Sequence, residues 1–171
     1  KEYDKKDTLS MAIYQADGKH VRTFSTHAED KVNKIKDVKA GYNKFNWNFR
    51  YPDAKSFDGM IMWAGSMRGQ RAVPGDYRLE LTHKGHSQSQ SFKIIADPRL
   101  DLTQADYENK FNFLQEVNDK VTEAHEAIIE IRNVKKKLKA LKKDYKGEKD
   151  LIAEATRIDS LIGNVEKELY Q

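Results

Sequence analysis

The feature that most constrains the fold of this chain is a change in the spacing of apolar residues near Pro98. Before Pro98, apolar side chains recur mainly at every second position, which is typical of β-strands. After it the chain has no proline, and apolar side chains recur every three or four positions, which is typical of amphipathic helices. The sequence therefore predicts a segregated α+β protein, with the boundary at Asp97-Pro98-Arg99.

The first half predicts about six short strands joined by turns. Asp17-Gly18, Pro74-Gly75 and the run from His83 to His86 supply turn residues. Residues 45–51 give the strongest strand prediction, because four aromatic side chains recur there at every second position. The other predicted strands span residues 9–14, 21–24, 60–63, 77–82 and 87–96. Residues 1–98 are thus predicted to form a small antiparallel sandwich of immunoglobulin or fibronectin type III kind. Such sandwiches usually have about seven strands, so we expect the first strand to be missing and the chain to be a piece of a longer protein.

The second half predicts two helices. Thr103 is a candidate N-cap, with Asp106 three residues later, and the apolar positions that follow have a mean spacing of about 3.5 residues, the period of coiled coils. This pattern predicts one helix from Thr103 to Tyr145, about 60 Å long. Lys146-Gly147 should end it, and a second helix of about 22 residues should begin at Glu148. Residues 99–171 are therefore predicted to form a long, coiled-coil-like antiparallel helical hairpin.

The two predicted helices differ in length, so the second covers only the distal part of the first. The proximal apolar positions need another partner, which could be the sandwich, a third helix or a second copy of the chain. An uncovered apolar stripe of that length predicts a partner-binding site. Its residues, called the seam below, are Tyr107, Phe111, Leu114, Val117 and Val121.

Several chemistries are excluded by the sequence. The absence of cysteine removes disulfides, thiolate zinc sites and cysteine nucleophiles. His125 opens a zincin-like string, but Ile129 stands where the second histidine is required. Residues 65–69 lack the ending of a phosphate loop, and no GxSxG turn presents a serine. His83 and His86 are interpreted as solvated turn residues. We therefore predict no catalytic residue, no cofactor and no metal site, and no apolar run approaches the roughly 18 residues of a membrane span.

The remaining candidates for ligand binding are basic and aromatic side chains. The chain has 31 basic and 27 acidic residues, and lysines cluster between Lys135 and Lys146. Because aromatic side chains for base stacking are not interleaved with them, they are interpreted as a solvated helix face and no nucleic-acid partner is predicted. Trp47 is predicted to lie in the core. Possible ligand-binding residues are Trp63, Arg68 and Arg71, with Tyr14 near one edge, where Trp63 would stack on a sugar ring; the alternative for Trp63 is core packing.

Several strings resemble a known family. Residues 16–23 (ADGKHVRT) look like the first hairpin of bacterial Ig-like modules of the flagellar-hook-cap kind. Residues 41–52 (GYNKFNWNFRYP), 72–77 (AVPGDY) and 96–99 (ADPR) resemble the C-terminal region of exported bacterial BNR/Asp-box, sortilin-like repeat proteins, which are labelled glycosyl hydrolases. Two positions depart from that pattern: Asn48 stands where the family has Asp, and Gly69-Gln70 where it has Gly-Pro.

The resemblance implies an exported, periplasmic or cell-surface bacterial protein whose catalytic activity, where present, belongs to an N-terminal β-propeller. This chain has no Ser-x-Asp-x-Gly-x-x-Trp box, so no catalytic residue carries over. The leading hypothesis is a non-catalytic accessory module of such a parent protein. The alternatives are a carbohydrate-binding module of the same parent and a self-associating coiled coil, and the parent itself would be the glycoside hydrolase.

Overall fold

The computed structural model describes Asp4, residues 6–61 and residues 65–170. Within them the chain forms a four-stranded antiparallel sheet and two helices, which confirms the predicted α+β class. The elements in chain order are β1 (Leu9–Gln15), β2 (His20–Ser25), β3 (Gly75–His83), β4 (His86–Ile94), α1 (Gln104–Asp144) and α2 (Lys149–Leu169). The four strands therefore lie before the predicted boundary at residues 97–99, and both helices lie after it.

The sheet has the strand order β2-β1-β3-β4, so β1 and β3 are central. Ile13 lies opposite Leu79 of β3 and, across the other edge of β1, opposite Arg22 of β2. The alternation of β1 places Met11 and Ile13 on one face, and both are buried there. The core on this face comprises Met11, Ile13, Val21, Phe24, Tyr51, Tyr77 and Phe111, with Trp47, Leu79, Phe92 and Ile94 packed against it.

The prediction of a strand over residues 45–51 is wrong. No residue of this segment belongs to a strand, and only Arg50 forms an isolated bridge, with Arg71. Phe49 has a φ of 58°, which reverses the extended backbone that a strand requires. Phe45 and Phe49 are exposed, whereas Trp47 and Tyr51 pack on the sheet core. The aromatic residues thus cover the sheet as an irregular segment.

A second predicted strand, over residues 60–63, is also absent from the described residues: Met60 and Ile61 have no strand structure, and Met62 and Trp63 lie outside them. The remaining strand predictions are confirmed with small changes in their ends. The described residues therefore contain four strands in one sheet where about six were predicted.

The helix predictions are confirmed. The structure gives α1 41 residues and α2 21 residues. Thr103 caps α1 as predicted: the backbone N–H of Asp106 donates to Thr103 Oγ1 (3.2 Å), and the backbone N–H of Thr103 donates back to Asp106 Oδ2 (2.8 Å). This reciprocal pair is a capping box with Asp in place of Glu. The hydrogen bonds from Thr103 lower the pKa of the Asp106 carboxyl below its ordinary value.

The chain divides into two compact units. The first comprises Lys1–Pro52 and Arg68–Gln115, and the second comprises Asp53–Met67 and Glu116–Gln171. Residues 53–67, which belong to the predicted β domain, are therefore grouped with most of the helical residues. The predicted division into domains 1–98 and 99–171 concerns independent folding and stays a prediction.

Candidate interaction surfaces

The seam residues differ widely in burial. Phe111 is buried in the core of the first unit, with its ring 4.8 Å from that of Tyr51, centroid to centroid. Tyr107 and Val121 are half-buried. Leu114 and Val117 are exposed, at 37% and 45%. Leu114 and Val117 are therefore the most exposed residues of the seam, and partner binding there stays a prediction.

Residues 53–61 and 65–67, called the strap below, cover part of α1 within the second unit. The backbone N–H of Lys55 donates to Thr122 Oγ1 (3.2 Å). His125 Nδ1 donates to the carbonyl oxygen of Lys55 (2.5 Å), and the Arg132 Nη1 donates to that of Asp58 (2.9 Å). Backbone groups of the strap therefore bond to side chains of α1, although most of its described residues are exposed.

Phe57 is the apolar anchor of the strap and is buried. Its ring meets those of His125 and Tyr170 edge-on, each with centroids 5.0 Å apart. The Arg132 guanidinium lies 4.6 Å from the centroid of the Phe57 ring, within the range of a cation–π contact. Sequence analysis missed this cluster, since one phenylalanine between Ser56 and Asp58 has no periodic signal.

Three ion pairs join α1 to α2 within the second unit. Glu166 accepts from Arg132 Nε and from Lys135 Nζ, both at 2.7 Å. Asp159 accepts from Lys142 Nζ at 3.0 Å. The hydrogen bonds from Arg132 and Lys135 hold the pKa of the Glu166 carboxyl below its ordinary value. Across these pairs the residue number on α2 falls as that on α1 rises.

The Glu166 pairs predict a loss of stability in acid. Because its pKa is lower in the folded chain than in the unfolded one, the pairs stabilise the fold above about pH 4.3, the unfolded value. That contribution disappears as pH falls through the folded pKa. We expect a loss of about 1 kcal/mol in unfolding free energy, because the two basic partners are about one-third exposed and solvent screens them.

Urea unfolding of the chain between pH 6 and pH 3 measures this loss. In Glu166→Gln, the decrease in unfolding free energy from pH 6 to pH 3 should be smaller by about 1 kcal/mol. Glu168→Gln, at an exposed position two residues away, is the matched control and should leave the slope unchanged. Equal slopes in all three proteins would contradict the prediction.

The structure describes only part of the predicted ligand-binding set. Trp63 lies outside the described residues. Arg68 and Arg71 are both exposed. The ring of Tyr14 is half-buried, with the Arg78 guanidinium 4.6 Å from its centroid and the edge-on His20 ring 5.5 Å away. One face of this ring is therefore already occupied by a protein group, and ligand binding at Trp63, Arg68 and Arg71 stays a prediction.

Among the described residues, no group of three or more His, Asp or Glu side chains is placed to hold a metal ion. His83 and His86 form the last pair of the β3–β4 hairpin, and His83 Nε2 lies 3.8 Å from Asp7 Oδ2. Over the residues that the structure describes, no helix is both long and apolar enough to cross a membrane.

Comparison of the chain with protein-family models, with curated proteins and with solved structures gives no significant match in any of the three. The fold therefore defines only a broad class, that of an α+β protein with a four-stranded antiparallel sheet and two helices. The resemblance to sortilin-like repeat proteins continues to depend on the sequence strings alone.

Proposed function

We propose that this chain is a non-catalytic interaction module of a larger exported protein of the glycosyl-hydrolase-labelled, BNR/sortilin-like kind. The observation that carries the proposal is the exposure of Leu114 and Val117 on the predicted seam. The two residues are three positions apart on α1 and so are neighbours on one helix face. The partner in this proposal is the remainder of the parent protein.

The proposal includes two architectural refinements. The sheet is the visible part of an Ig or fibronectin III-like sandwich whose remaining strands the parent supplies. The helices α1 and α2 form an antiparallel hairpin, which is supported by the ion pairs of Glu166 and Asp159 with basic residues of α1. In this arrangement α2 accompanies the distal part of α1, and Leu114 and Val117 remain for the parent.

Binding to the remainder of the complete gene product, produced separately, tests the proposal. Val117→Lys should weaken binding by about tenfold or more, because a buried, unpaired ammonium group replaces an apolar contact. Val165→Lys is the matched control: Val165 is 52% exposed on α2, so the same substitution there should leave the affinity unchanged. Equal effects of the two substitutions, or turnover of glycosides or peptides by the chain itself, would refute the proposal.

Self-association through α1 is a second candidate function, favoured by the same two exposed side chains. It differs from the first in its partner, so light scattering at several concentrations separates them. A mass that rises with concentration and returns to that of the monomer in Val117→Lys supports self-association, whereas a strict monomer rules it out.

A further inference from the structure

The two edges of the sheet are protected to very different degrees. The β2 edge is short, with six residues, and its pairing with β1 has a register shift between Ile13 and Tyr14. A further segment covers this edge: the Ser25 N–H donates to Asn33 O and the Ile35 N–H donates to Ser25 O, both at 2.9 Å. Short length, irregularity and a covering segment are the devices by which proteins block pairing at a sheet edge.

The β4 edge has none of these devices. Its nine residues pair with β3 from end to end without a register shift. Residues 87–92 carry no charge and contain no proline, and residues 86–91 are all exposed. A long, regular edge strand that is mostly exposed, and whose single charge (Lys93) lies near its end, is a template for pairing with another strand.

The turn before β4 determines which backbone N–H and C=O groups of the strand point away from β3. Lys84 and Gly85 form a two-residue turn with φ values of 52° and 78°, so His83 and His86 form its closing hydrogen-bonded pair. Bonding then alternates along the strand, and the N–H and C=O groups of Ser87, Ser89, Ser91 and Lys93 point away from β3.

Within the described residues, no backbone hydrogen bond reaches this outer edge. A single side chain partly covers it, since Gln90 Nε2 donates to the carbonyl oxygen of Ser91 (3.1 Å). Because the glutamine side chain is flexible, backbone hydrogen bonds to another strand can replace this contact.

We propose that two copies of this chain pair through their β4 strands, antiparallel and related by a two-fold axis at Gln90. This register overlaps the whole strand, with Ser89 opposite Ser91 of the second copy and Ser87 opposite Lys93 of the second copy. The outward backbone groups of one strand then meet those of the other, and the two sheets form one continuous sheet across the dimer.

A second copy fits this edge because the strand is self-complementary. Gln90 faces Gln90 of the second copy, and two amide side chains donate to and accept from each other. The only charged residue of the register, Lys93, faces a serine and already lies 3.7 Å from Asp76, so like charges do not oppose each other. A different partner strand with several charged side chains would find no set of opposite charges on β4.

Sedimentation equilibrium of the full 171-residue chain, from micromolar to millimolar concentration, tests the proposal. The expected result is a monomer–dimer equilibrium. Ser89→Pro removes one outward N–H while leaving the ladder to β3 intact, and Gln90→Lys places like charges opposite each other at the axis. Each should raise the dimer Kd by about tenfold or more.

Thr23→Lys adds the same charge at an exposed position on the covered β2 edge, and it should leave the dimer Kd unchanged. Circular dichroism verifies that each variant is folded, and Gln90→Lys keeps the test decisive if Ser89→Pro unfolds. Amide hydrogen exchange provides a direct readout: exchange at Ser87, Ser89 and Ser91 should slow as the concentration rises. A monomer throughout, or a dimer lost in Val117→Lys and retained in Gln90→Lys, overturns the proposal.

Discussion

Replacing Phe57 with alanine is expected to lower the free energy of unfolding by about 3 kcal/mol. The Phe57 ring is buried against the rings of His125 and Tyr170 and the guanidinium of Arg132. With alanine, the free energy gained by burying the ring is lost. A cavity also remains, which the polar groups of the neighbouring side chains fill poorly. The strap should then bind α1 less tightly, because the Phe57 ring packs against the His125 ring of α1.

Urea unfolding of Phe57→Ala measures the loss, and limited proteolysis locates it. Cleavage within residues 53–67 should become faster than in the unsubstituted chain. Phe113→Ala is the matched control, since Phe113 is 64% exposed and its removal should change stability by less than about 0.5 kcal/mol. Equal losses in the two variants, with unchanged proteolysis, would show that Phe57 does not anchor the strap.

Replacing Arg22 with alanine is the second large effect, with an expected loss of about 3 kcal/mol. Arg22 is 4% exposed on the core face of β2. Its Nε donates to Asn33 Oδ1 (2.7 Å), and its Nη1 donates to the carbonyl oxygens of Tyr51 (3.2 Å) and Arg50 (3.4 Å). Alanine leaves these acceptors without that donor, at a cost of about 1–3 kcal/mol for each one that stays buried.

Two further variants make the Arg22 prediction specific. Arg22→Lys keeps the charge but loses the planar fork that reaches several acceptors, so its loss of stability should be intermediate. Arg71→Ala removes an exposed arginine and should change stability by less than about 0.5 kcal/mol. The indole N–H resonance of Trp47 is a local probe, because this group donates to Arg50 O (3.0 Å). Full stability in Arg22→Lys would contradict the argument from fork geometry.

The helices were predictable from sequence because their signals are local. A capping residue acts three positions away, and an apolar stripe needs neighbours three and four positions apart. Thr103 and Asp106 therefore identified the start of α1 correctly, and the turn at Lys146-Gly147 separated α1 from α2. The β1–β2 and β3–β4 hairpins were predictable for the same reason, since turn residues and alternation lie within a few positions.

The segment from Phe45 to Tyr51 shows where alternation misleads. Period-2 aromatic residues predict a buried face, and Trp47 and Tyr51 do pack on the core. Alternation says nothing of the backbone between them, where Phe49 adopts a positive φ. Phe111 shows the complementary limit: the heptad pattern placed it on a seam, and the first unit uses it as a core residue against Tyr51.

The sequence by itself determined the class of fold, the two helices and four of the strands, because helix periods, caps and tight turns are encoded over a few residues. Tertiary structure alone decided the burial of Arg22, the strap anchored by Phe57 and which seam residues stay exposed. These depend on contacts between distant segments, such as Lys55 with His125, 70 positions apart. Such contacts form only where the folded chain satisfies buried polar groups and excludes water from apolar ones, which no local pattern records.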